Sequence, residues 1–285
     1  MFHAPTYYDS YNGLWQSTLS FLDCMYVAKG LKRTSIVFMD EKRIHLLQKF
    51  CSINNLHFEL SDRKFLLPYD PSKGNFSNNT GHVVPSNNPR GYFAVFISKD
   101  LLEVQLAKFY YSAGDHIKMG AILGYPKCCS KFFERCIGNT LNHTKDYIPN
   151  AITDTNQYNF LNNRALRYFD ISLISHFPCS LACPTSQAIA KEKLAFLREE
   201  YPKIATFFEK YLKSMVIYTE KQGVFFSNDY SLKSNLVKYR EFHGTVENGL
   251  FHKLKEASEI TILSHNSLRI GKELLEEDIC ILLFK

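Results

Sequence analysis

The 285-residue chain has no apolar run long enough to cross a bilayer. Its longest runs, such as Tyr92 to Ile97 and Ile279 to Phe284, fall far short of the ~20 residues that a spanning helix needs. The opening residues MFHAPTYYDS hold neither a basic flank nor an apolar stretch for export, so the expected location is cytoplasmic. The sequons at Asn75, Asn78 and Asn142 then read as chance matches. Blocks of like charge are also missing, since 34 Lys and Arg against 28 Asp and Glu are scattered along the chain. Dispersed lysines mainly keep a surface solvated, and they support a nucleic-acid partner only weakly. There is no Gly-x-Ser-x-Gly elbow, no His-Glu-x-x-His helix, no Gly-x-Gly-x-x-Gly fingerprint and no Gly-Lys-Ser/Thr phosphate loop. No motif therefore names a small-molecule substrate.

What is present is enough apolar material for a full core, 45% of the composition. Leu14 to Lys29 and Glu41 to Asn54 carry helical spacing, whereas TSIVFM (Thr34 to Met39), LHFEL (Leu56 to Leu60) and YFAVFI (Tyr92 to Ile97) read as strands. Between the last two lies a Pro-, Gly-, Ser- and Asn-rich tract, Pro68 to Gly91, expected to be a long, poorly ordered loop. From Lys99 to about Lys213 the pattern turns helical and ends in one or two long helices bent near Pro202. After Ser214 short strand patterns recur, interrupted by a helix around Asn248 to Ala257. The expected fold class is α/β: an N-terminal α/β unit over 1-112, a central helical cysteine-containing segment over 113-213, and a small β-rich C-terminal domain over 214-285.

Eight cysteines are unevenly distributed. Cys24, Cys51 and Cys280 sit singly in apolar segments and read as small buried hydrophobes. The other five form two groups, Cys128, Cys129 and Cys136 in GYPKCCSKFFERC, and Cys179 and Cys183 in SHFPCSLACPTS. In a cytoplasmic chain, such clusters point to metal binding or catalysis more than to structural disulfides. With Pro126 at the first helical position, Cys128 and Cys129 fall in a first turn, where backbone N–H groups and the helix dipole stabilise thiolate. A disulfide between these neighbours would be strained. Cys136 follows Cys129 at a helical rise of ~10.5 Å, too far for one ion, and reads as core unless the helix breaks at Gly138. Cys179 and Cys183 share a face if their stretch is helical. With Pro184 they reproduce the C-x3-C-P ending of bacterial ferredoxin runs, without the preceding C-x2-C-x2-C portion.

Cys128, Cys129, Cys179 and Cys183 together supply four thiolates, enough for an iron-sulfur cluster or a closed zinc site. His176, three residues before Cys179, offers an alternative metal ligand, and His116 a second one or a general base. Arg164 has the planar fork that holds a carboxylate or phosphate, and Asn159, Asn162 and Asn163 are candidates for supporting contacts. Bland readings stand beside all of these: cysteines packed into a core, a hydrogen-bonded structural histidine, an exposed helix arginine.

The segment DHIKMGAILGYPKCCSKFF, followed by SHFPCSLACPTSQ, resembles a family of uncharacterised prokaryotic proteins marked by LGYP-x-CC and a downstream PCS-x2-C. The likeness spans roughly Asp115 to Gln187. It implies that the two cysteine groups belong together, and it implies no reaction. The leading expectation is an iron-sulfur enzyme, of the 4Fe-4S type, performing sulfur transfer or Lewis-acid chemistry. The alternatives are a zinc-stabilised module that binds nucleic acid or protein, and a metal-free enzyme with Cys128 or Cys129 as nucleophile.

Overall fold

A computed structural model of the chain describes residues 13–67, 69–70, 75–76, 82–140, 146–153, 157–276 and 278–285. In chain order, α1 (Thr18–Ala28) leads to β1 (Thr34–Asp40), α2 (Ile44–Ile53) and β2 (His57–Phe65). Three two-residue strands follow, β3 (Tyr69–Asp70), β4 (Asn75–Phe76) and β5 (Val83–Val84), before β6 (Tyr92–Ser98). Next come α3 (Leu101–Ala113), α4 (His116–Ile122), α5 (Lys127–Thr140), β7 (Gln157–Tyr158), α6 (Pro184–Glu200) and α7 (Pro202–Leu212). The remainder is β-rich, with β8 (Met215–Thr219), β9 (Val224–Ser227), β10 (Tyr230–Lys233), β11 (Leu236–Tyr239) and β12 (His243–Gly244) ahead of α8 (Gly249–Glu256). It closes with β13 (Glu259–Ser264), β14 (Ser267–Ile270), β15 (Glu273–Leu275) and β16 (Ile279–Phe284). The fold is mixed α/β with a β-rich C-terminal region. The described residues divide into two compact units, one holding α1 to α5 with β1, β2, β5 and β6, the other holding β3, β4 and the elements from residue 146 onward. Helices α4 and α5, which patterning grouped with the cysteine segment, lie in the first unit.

In the first unit the sheet order is β1-β6-β2-β5 and every neighbouring pair is antiparallel. β1 and β2 therefore run parallel to each other, joined through α2, with β6 inserted between them as a split β-α-β unit. Side chains alternate across β6. Ala94 and Phe96 pack with Val104 and Ala107 of α3 and Met119 and Ile122 of α4, and Val95 and Ile97 are equally buried on the other face. Burial on both faces explains why YFAVFI carries no polar alternation.

The helical reading from Leu14 began too early. Ser17 caps α1 by accepting from the Ser20 amide at 3.0 Å, and Trp15 packs edge-on against Phe50 at 5.2 Å, so its apolar character reflects tertiary packing. The continuous helical pattern after Lys99 is likewise two helices, because Gly114 takes φ +69° and Asp115 caps α4 through the Lys118 amide at 3.0 Å. The long-loop expectation for Pro68 to Gly91 lies partly outside the described residues. Within them, Tyr69 pairs with Phe76 and Val84 pairs with Lys64.

In the second unit, the stretch expected to be helical before Pro184 is instead short 3-10 turns and irregular chain. Polar side chains there bond the nearby backbone, as Asn159 accepts from the Leu161 amide at 3.0 Å and Ser172 donates to the Ile174 carbonyl at 2.9 Å. That competition disfavours regular helix. α6 and α7 separate at Tyr201, with Pro202 at the first helical position, as the sequence indicates. The remaining strands form sheets ordered β10-β11-β13-β14-β15 and β12-β9-β8-β16-β7. Both contribute to one core, with Met215, Ile217, Phe225 and Ile281 meeting Val237, Ile260, Leu268 and the α8 residues Leu250 and Leu254. β8 is buried on both faces, and Phe226 of β9 packs against Phe169 at 4.7 Å, which fixes the chain just before the second cysteine group.

Candidate metal centre

The first cysteine group starts from a local corner. In LGYPKCC the helix α4, which ends at Ile122, is capped by Leu123, and Gly124 adopts φ +74°. The Gly124 amide donates to Ala121 at 3.1 Å and the Tyr125 amide to Gly120 at 2.8 Å, the paired bonds of a Schellman cap. Pro126 then starts the next helix, its carbonyl accepting from the Cys129 and Ser130 amides at 2.9 and 3.0 Å. α5 proper begins at Lys127, one residue later than the sequence suggests, and Cys128 and Cys129 remain in its first turn. Cys128 is exposed and Cys129 buried. Their Sγ atoms stand 3.8 Å apart. Below them, Gly120 lets the two helices approach closely, for a Cβ there would meet Ser130 Oγ at 2.2 Å.

The second group lies on a turn, not on a helix face, which corrects the shared-helix reading of Cys179 and Cys183. Pro178 and Pro184 flank the turn and restrict the residues before them from helical geometry. Cys183 is the N-cap of α6, with φ −57° and ψ 114°. Its amide donates to the Ser180 carbonyl at 2.9 Å, while the intervening Leu181 is fully buried and anchors the turn. Asn162, also fully buried, donates its side-chain amide to the Leu181 and Cys183 carbonyls at 3.1 and 3.0 Å.

The ligand atoms of Cys128, Cys129, Cys179 and Cys183 all lie within 4.8 Å of one another. Thiolates bonded at ~2.3 Å to one tetrahedral ion are separated by ~3.8 Å, so the four can hold a metal ion. Cys136 is not in this group. α5 continues past Gly138, so the helix does not break to bring it back. Burial, set against the nearby Arg135, pushes its thiol up. Cys24 and Cys51 are core residues; burial above all raises the Cys24 thiol well above its ordinary value and pushes Cys51 up to about 12. The half-buried Cys280 is pushed up to about 11 by burial and by Asp278.

The other predicted residues fall elsewhere. His176 is buried, with its Nε2 2.8 Å from Ser186 Oγ, and is not one of the four grouped ligands. His116 opens α4 with its ring edge-on to Phe133 at 5.4 Å. Arg164 is half-buried in irregular chain and donates to the Ser175 carbonyl at 3.3 Å. A cluster that sequence reasoning missed stands beside the second cysteine group. Asp146 Oδ2 accepts from Arg167 Nη2 and from the hydroxyls of Tyr168 and Tyr218, each at 2.6 Å. Arg167 in turn lies 4.9 Å over the Phe177 ring, two residues before Cys179. Burial works to raise the Asp146 carboxyl, and the Arg167 guanidinium and the two hydroxyls override it, holding the group below the usual carboxylate range. Sequence spacing carries no signal for partners so far apart. Among the described residues no helix is long and apolar enough to cross a membrane. No family model, curated protein or solved structure matches the chain.

Proposed function

We propose that this is a metal-binding protein in which Cys128, Cys129, Cys179 and Cys183 hold one tetrahedral ion, zinc, as four thiolates. The observation that carries the reading is the mutual approach of the four sulfurs within 4.8 Å. A regular tetrahedron of that edge puts each sulfur at most ~2.9 Å from the centre, one metal-sulfur bond of ~2.3 Å plus ~0.6 Å. A four-iron cluster must set every iron well off centre to make room for its bridging sulfides, and its thiolates spread correspondingly wider. The spacing therefore favours a single ion over the cluster suggested by the C-x3-C-P pattern. The 3.8 Å between Cys128 and Cys129 supports the same choice, since it equals the tetrahedral edge.

A bound ion of this kind supplies cross-linking of chain segments that are distant in sequence, and a site closed by four thiolates is the arrangement of structural zinc. It would tie the first turn of α5 to the turn before α6, where regular secondary structure is sparse. The exposure of Cys128 favours a second reading, in which that thiolate reacts with an electrophile while the other three keep the ion.

Metal and acid-labile sulfide analysis of anaerobically purified protein tests the assignment. One zinc per chain without sulfide is the expected result, lost in the Cys129→Ser, Cys183→Ser double variant. Near-stoichiometric iron and sulfide would overturn the single-ion reading in favour of the cluster enzyme, and metal-free protein would overturn both.

A further inference from the structure

Several backbone groups of the ligand-bearing turn are tied down. The Leu181 amide donates to the Ala151 carbonyl at 2.9 Å, the Ala182 amide to Ser180 Oγ at 3.1 Å, and the Cys183 amide to the Ser180 carbonyl at 2.9 Å. On the acceptor side, the carbonyls of Leu181 and Cys183 converge on one atom, Asn162 Nδ2. A primary amide has two N–H donors, and here each serves one of those carbonyls. Asn162 is wholly buried in the 3-10 turn Phe160–Asn162, so water cannot replace it without a cavity opening.

From this arrangement we propose that Asn162 is a positioning residue for the metal site, an inference that rests on the four-thiolate reading. It fixes the peptide of Cys183 in its non-helical conformation and so sets the separation of the Cys179 and Cys183 thiolates before any ion arrives. Truncating it removes the side-chain donor to the buried Leu181 carbonyl and leaves the Cys183 carbonyl with the Gln187 amide at 3.1 Å, and the turn relaxes to find another donor. The spacing of the two sulfurs then becomes variable, and a pre-organised half-site becomes a flexible one.

The neighbouring residue provides the control. Asn163 is buried to the same degree and also donates its amide to a backbone carbonyl, that of Leu212 at 2.8 Å, which belongs to the end of α7 and not to the cysteine turn. A general loss of stability should therefore follow either substitution, and a loss of metal should follow only one.

The experiment loads full-length wild type, Asn162→Ala, Asn162→Gln and Asn163→Ala with Co(II), which reports thiolate ligation by charge-transfer absorption, and challenges each with a chelator. Asn162→Gln keeps the amide but displaces it by a methylene, and serves if Asn162→Ala does not fold. The expected result is metal retention weakened by ~10–100-fold and an altered cobalt spectrum in the Asn162 variants, as for other residues that orient ligands. Asn163→Ala should melt earlier and yet match wild type in spectrum and retention. Folded Asn162 variants with wild-type retention would overturn the positioning role, as would an equal loss of metal in Asn163→Ala. A wild type with no thiolate-to-cobalt band would instead overturn the four-thiolate reading and this inference with it.

Discussion

Gly120 of α4 lies directly beneath Ser130 of α5, so close that a methyl group at position 120 would sit 2.2 Å from Ser130 Oγ and 2.9 Å from its Cβ. Ser130 follows Cys129, and its amide takes part in the bonds to Pro126 that start the helix. The approach of the two helices thus sets where the paired thiols stand.

Gly120→Ala should therefore push α5 away from α4 and destabilise the protein by about 1–3 kcal/mol, the usual range for overpacking. Metal retention should fall as well, because the displaced turn carries two ligands. Urea unfolding and Co(II) binding measured on the same variant check both; a variant with the metal affinity of wild type would show that the corner tolerates the shift.

Removing the metal should cost stability on its own account. With free zinc a thousandfold above its Kd, binding to the folded state contributes about 4 kcal/mol, so chelation should lower Tm by on the order of 10 °C. Differential scanning calorimetry with and without chelator reads this directly, and unchanged melting would count against a structural ion.

Asp146 predicts a pH dependence of definite sign. Its carboxyl is held below the usual range in the folded protein, so the stability it contributes is fully present above the unfolded value of ~3.9 and is lost as pH falls through the folded value. At neutral pH Asp146→Asn leaves the buried Arg167 uncompensated and should cost about 3–5 kcal/mol. Unfolding curves at pH 7, 5 and 3 should show wild type converging on the variant toward the acid end.

The core cysteines should be chemically silent. With its thiol pushed up to about 12 by burial, Cys51 carries a thiolate fraction of only ~10⁻⁴ at pH 8, and Cys24 is buried in the same way. Iodoacetamide at pH 8 should leave both unmodified in folded protein, while stripping the metal should make the exposed Cys128 the first site labelled, as peptide mass spectrometry would record.

The corner LGYPKCC was legible because everything it needs is local. A glycine able to take positive φ, two amides that reach back three and five residues, and a proline that starts a helix all lie within a few consecutive positions. The exclusion of Cys136 was legible for the same reason, since helical rise alone separates it from Cys129. By contrast, the stretch from 157 to 183 misled the reading. Apolar spacing there comes from side chains anchoring irregular chain in a core, as Leu166, Ile171 and Leu181 do, and periodicity does not distinguish that from a helix face.

Asn162 and Asn163 mark the boundary between the two kinds of information. Nothing in NNR distinguishes the two amides, yet one holds the cysteine turn and the other the end of α7, because adjacent residues in a tight turn point in different directions. The pairing of Asp146 with Arg167 and Tyr218 depends likewise on chain segments brought together only when the core packs. Sequence by itself determined which residues can serve as thiolate ligands and how Cys128 and Cys129 are presented, through hydrogen bonds a few residues long. Tertiary structure alone decided which of them meet, because the two pairs are distant in sequence and no local hydrogen bond spans them.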